Sequence, residues 1–147
     1  MTNQDRELLL VDLAGRIPYN VKCHYVGMDS ETFEDIDKIV TLYSIDFDYF
    51  SVLLEEDSLL PIDKVMPYLF PLSSMTEQQE TEFAKLFKKK NGPEDFFYDY
   101  EEDMKPIQML NYYPYEILDW LNRNHFDYRG LIDKGLAMDA SGLNIYG

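Results

Sequence analysis

The chain has one cysteine, Cys23, two histidines, His24 and His125, and fewer than half as many basic residues as acidic ones. A single cysteine excludes an intrachain disulfide and leaves a thiolate zinc site nothing to build on, so a reducing compartment is expected. No apolar run approaches the roughly 18 residues that a membrane helix needs. Residues 1–6 lack the basic stretch and apolar core of an export signal. The expected location is cytoplasmic, with no membrane partner. Glycine-rich phosphate loops, the Rossmann fingerprint, zincin helices and nucleophile elbows are missing from the sequence. These absences lower the expectation of an enzyme, and no cofactor or metal is implied.

What is present is a folded-protein composition under a large negative charge. Among 147 residues the apolar fraction is 46%, which separates the chain from disordered acidic segments and requires a packed core. The length suits one domain. A formal charge of -15, from 28 acidic and 13 basic residues, repels phosphate backbones and anionic lipid, so direct nucleic-acid binding is not expected.

Apolar spacing at Leu8, Leu9, Leu13 and Ile17 predicts a helix over residues 5–17, capped by Asp5 and stopped by Pro18. Residues 21–26 read as a first strand, 32–45 as one or two more, and 49–54 as another. Three prolines, Pro61, Pro67 and Pro71, predict a connector over residues 60–71 with at most one helical turn around Ile62 to Met66. Ser74 with Glu77 three positions later forms a capping box pattern, opening a helix to Lys90 whose buried stripe is Phe83, Leu86 and Phe87. Pro114 opens a further helix carrying Ile117, Leu118, Trp120 and Leu121. A shorter helix is expected over residues 128–134, with Asp127 as cap and Gly135 as exit. The expected fold is a single α+β domain over residues 1–147. It has a small, twisted antiparallel sheet of about three to five strands. An N-terminal helix and C-terminal helices pack on that sheet.

Three stretches, 12–22 (DLAGRIPYNVK), 67–77 (PYLFPLSSMTE) and 119–137 (DWLNRNHFDYRGLIDKGLA), resemble a family of uncharacterised proteins from Bacteroides-type gut bacteria and their phage-like or mobile elements. The resemblance implies a genomic setting. It brings no catalytic residue, ligand or cofactor with it.

Residues 94–103 hold six carboxylates and four aromatics, and here Phe97, Tyr98, Asp99, Tyr100, Glu101 and Glu102 are the candidate partner-binding residues. Aromatic rings supply contact area with few rotors, and the carboxylates steer a basic partner and reject acidic ones. The same carboxylates are oxygen donors for a hard cation, but their spacing does not match an EF-hand loop. A second polar group lies in residues 122–129, where Arg123, His125 and Arg129 form either a structural corner or a recognition site. Cys23 and His24 are neighbours on a strand and face opposite ways, so they cannot work as a nucleophile and base with each other. The function expected is a non-catalytic module that binds a protein, of basic character if the acidic surface does the steering. The alternatives are a small enzyme with a pocket around His125 and Arg123, or an acidic mimic of nucleic acid that inhibits a DNA-binding protein.

Overall fold

The computed structural model describes residues 1–29, 31–48, 51–54, 59–91 and 115–147. The chain opens with α1 (Asn3–Arg16). Its cap is Thr2, whose hydroxyl accepts the Asp5 N–H at 3.1 Å while the Asp5 carboxylate accepts the Thr2 N–H at 3.0 Å. Asp5 is thus the inner partner of a capping box rather than the cap, because a threonine at the right offset precedes it. Leu9, Leu10 and Leu13 are buried, and Val11, which falls outside the helical phase, is 48% exposed. A short 3-10 turn through Pro18 ends at Asn20, which takes a left-handed φ of 55°.

The strands are β1 (Lys22–Met28), β2 (Asp35–Asp46), β3 (Ser51–Leu54), β4 (Leu59–Pro61) and β5 (Val65–Pro71). After them come α2 (Glu77–Asn91), α3 (Tyr115–Arg123), β6 (Phe126–Asp127) and β7 (Met138–Asp139). The sheet runs β4-β3-β2-β1-β5-β6, with β7 also paired to β5. It is larger than the expected three to five strands and it is mixed. Strands β4 through β5 pair antiparallel, whereas β6 and β7 join β5 in parallel. Residues 32–45 contain one long strand, β2, broken by a register shift between Leu42 and Ser44. Pairing with β1 covers Asp35 to Thr41 and pairing with β3 covers Leu42 to Asp46, and the shift lies within the second of these.

The expected connector is instead β4, a 3-10 turn (Ile62–Lys64) and the interior strand β5. Prolines do not prevent this because of where they sit. Pro61 and Pro71 end strands, and Pro67 lies where β5 passes from β1, which pairs with Val65 to Pro67, to β7 and β6, which pair from Tyr68 onward. Val65 and Leu69 are fully buried.

Helix α2 is capped by Thr76 rather than by Ser74: the Thr76 hydroxyl accepts the Gln79 N–H and the Gln79 side chain accepts the Thr76 N–H. Ser74 is occupied in the preceding turn, donating to the Pro71 carbonyl at 2.7 Å. The helix expected over residues 128–134 does not form. Asp127 does cap, accepting the N–H groups of Leu131 and Ile132. Gly130 (φ 72°) and Gly135 (φ 73°) then confine the segment to linked turns.

Among the described residues, two hydrophobic clusters result. One lies between α1 and the sheet and is built on Leu9, Leu13, Cys23, Val40, Val65 and Leu69. The other joins α2 and α3 through Phe83, Ile117, Trp120, Leu121, Phe126 and Tyr128. Trp120 stacks on Phe126 with ring centres 5.7 Å apart, and Phe83 tilts against it at the same distance. The predicted burial of Phe83 and Trp120 is observed, and the side chain of Phe87 lies outside the described residues.

Candidate functional site

Phe97, Tyr98, Asp99, Tyr100, Glu101 and Glu102 lie outside the described residues. Arg123, His125 and Arg129 are described, and each takes different partners. Arg123 donates to Asp119 at 2.8 Å and lies over the Tyr19 ring. The Tyr19 hydroxyl donates to the same carboxylate, and it, with Arg123, holds the Asp119 carboxyl below its usual range. Arg129 donates to Asp12 at 3.2 Å. His125, in a left-handed conformation (φ 62°) just past the end of α3, stacks face to face on Tyr146 with ring centres 3.6 Å apart.

Beneath these residues is a buried polar corner that the sequence reading did not assemble. Asp12 and Arg16, one turn apart on α1, are both fully buried and form a bidentate pair at 2.7 and 3.0 Å. Arg16 also donates to the Phe126 carbonyl at 2.7 Å, which ties α1 to β6. The guanidiniums of Arg16 and Arg129 both lie over the Tyr128 ring, at 5.2 and 5.1 Å. The Tyr128 hydroxyl donates to Asn122, whose amide in turn sits so close to Gly15 that an added Cβ would approach it to 2.8 Å. The absent side chain at Gly15 is what lets α1 and α3 meet here. The signal available in the sequence was the Asp12/Arg16 spacing on one helical face.

Cys23 is fully buried on the inner face of β1, and burial pushes its thiol up to about 12. His24 faces outward and contacts the Asp37 carboxylate at 2.6 Å. The expected opposition of these two side chains is observed. A thiol so protonated is no nucleophile at neutral pH. Native protein is therefore expected to be inert to a disulfide reagent over hours and to react with one equivalent within minutes in denaturant. Rapid native labelling would contradict the burial. Among the described residues, no three His, Cys, Asp or Glu side chains are grouped to hold a metal ion. Nor is any described helix long and apolar enough to cross a membrane.

A second surface has a different character. β5 pairs with β1 at Cys23 to Tyr25, but β1 continues through Val26, Gly27 and Met28, and β2 pairs with it as far as Asp35. These residues form a two-stranded arm. Its tip is hydrogen-bonded: the Asp29 carboxylate accepts the N–H groups of Glu31 and Thr32, and the Asp29 N–H donates to the Glu34 carbonyl at 2.8 Å. Those backbone donors hold the Asp29 carboxyl below its ordinary range. On the inner side of the arm the Tyr25 ring occupies the space above Gly27. The outer side exposes Val26 (47%), Met28 (58%), Ile39 (49%) and, at the tip, Phe33 (74%). Between positions 26 and 37 stand Asp29, Glu31, Glu34, Asp35 and Asp37, with no lysine or arginine.

No protein-family model matches this chain, and no curated protein or solved structure shows significant similarity to it.

Proposed function

We propose that this protein is a non-catalytic interaction module that docks a basic, partly apolar protein segment through the β1–β2 arm. The observation that carries the reading is the exposure of Val26, Met28, Phe33 and Ile39 on a hydrogen-bonded ribbon whose neighbouring charges are carboxylates, apart from Lys38 beside Ile39. Apolar side chains supply the contact energy, and the net negative charge around them selects a cationic partner. A second copy of the same chain is a poor occupant, because each carries a formal charge of -15. The alternative of an enzyme pocket around His125 and Arg123 draws no support from their positions, since Arg123 turns to Asp119 and Tyr19 while His125 stacks on Tyr146.

The test uses a defined probe, a short peptide alternating lysine and leucine, with a glutamate and leucine peptide as control. NMR titration is expected to shift resonances of residues 24–39 with the cationic peptide alone. The triple variant Val26→Ser, Met28→Ser, Phe33→Ser is expected to weaken binding by about 10- to 100-fold, the loss of a few apolar anchors. Its melting temperature should not change. Equal binding by the variant, or shifts elsewhere on the molecule, would overturn the proposal.

A further inference from the structure

Among the described residues, two buried side-chain nitrogens lack a protein partner, Arg16 Nη1 and His125 Nδ1. They belong to the same corner. Arg16 Nη2, on the same guanidinium, donates to the carbonyl of Phe126, the residue that follows His125. The Arg16 charge, after burial itself, is what disfavours a proton on the His125 ring. Arg16 is fully buried and His125 is 9% exposed, so bulk solvent does not satisfy these atoms. Buried polar groups in native proteins are nearly always bonded, and ordered water commonly completes the set.

The chemistry of the two atoms narrows the occupant. A guanidinium nitrogen can only donate, whereas Nδ1 of a neutral imidazole can accept. A molecule between them must therefore accept on one side and donate on the other, as water does. A cation is opposed by Arg16. An anion is opposed by Asp12, which is already shared by Arg16 and Arg129, and by Asp127, whose charge also acts on Arg16. The Tyr146 ring covers one face of the imidazole, leaving its edge for hydrogen bonding.

We propose that one buried water molecule bridges Arg16 Nη1 and His125 Nδ1, accepting from the first and donating to the second. It extends the tie between α1 and β6 to the His125 ring and fixes that ring as the tautomer with its proton on Nε2.

A crystal structure of the unmodified chain at neutral pH, at a resolution that orders waters, is expected to show density within hydrogen-bond distance of both nitrogens. Empty space, or a direct protein bond to either nitrogen, would refute the bridge. Long-range proton–nitrogen NMR spectra should report the Nε2–H tautomer, and an Nδ1–H signal would equally refute it. Two variants add an independent reading. His125→Asn places a carbonyl oxygen near the Nδ1 position and tolerates the left-handed backbone, so it should keep the water. His125→Leu offers no acceptor and should show one long-lived water fewer by oxygen-17 relaxation dispersion. Equal counts in the two variants count against the proposal. Should the leucine variant fail to fold, the density and the tautomer decide it.

Discussion

Replacing Asp12 with alanine is expected to destabilise the protein by about 3–5 kcal/mol, the usual effect of removing one partner from a buried ion pair. The reason is the position of Arg16. Its side chain is fully buried, and without Asp12 it keeps, among the described residues, a single protein acceptor, the Phe126 carbonyl. Arg129, 28% exposed, can turn to water, but Arg16 has no such route. The exposed pair of Arg6 and Asp63, whose side chains are 27% and 40% accessible, provides the comparison. Asp63→Ala should cost no more than about 1 kcal/mol. Replacing Asp12 and Arg16 together with leucine and methionine should recover part of the loss, because it removes the uncompensated charge. Urea denaturation of the set measures all of this. A cost for Asp12→Ala as small as that for Asp63→Ala would mean that the corner is hydrated far more than its burial indicates.

The second large effect is a pH dependence set by His125. Burial, assisted by the Arg16 charge, lowers its ionisation from the ordinary 6.5 to about 4. Between those values the unfolded chain binds a proton that the folded chain refuses. Stability is then complete above about pH 6.5 and is lost as pH falls toward about 4. The gap corresponds to about 3 kcal/mol. Carboxylates held low by hydrogen bonds, such as Asp5, Asp63 and Asp119, also release stability on acidification, at and below their ordinary range. The informative quantity is thus the difference between the unmodified chain and His125→Asn. The variant should lose markedly less stability between pH 7 and pH 4.5, and parallel curves would exclude the histidine as the cause.

How far the sequence could be read depended on the range of the interactions involved. Helix α1, the helix after residue 76 and the burial of Phe83 and Trp120 were legible because apolar period and capping chemistry are local. Even so, the cap of α2 moved by two residues. Ser74–Glu77 and Thr76–Gln79 share one spacing pattern, and the choice between them was made by Pro71, whose carbonyl takes the Ser74 hydroxyl. Strand β5 was not legible, because whether a proline is tolerated depends on which partner strand faces it at that residue. The same holds for the corner: Asp12 and Arg16 look like ordinary helix charges until Phe126 and Arg129 are brought against them from more than a hundred positions away. For the arm, sequence supplied the alternation and the charges. It could not supply the exposure of Val26, Met28 and Ile39, which depends on which face of the sheet the rest of the chain covers.

Tyr146 accepts the Lys22 N–H at 2.9 Å and donates to the Tyr68 carbonyl at 2.7 Å, while its ring lies on His125. One phenol near position 147 thereby latches the first strand, the fifth strand and the turn after α3. The bonds to Lys22 and Tyr68 span 124 and 78 positions, so in synthesis they form only after residue 146 has emerged. Contacts between such distant positions slow folding, because the loop entropy is lost before they form.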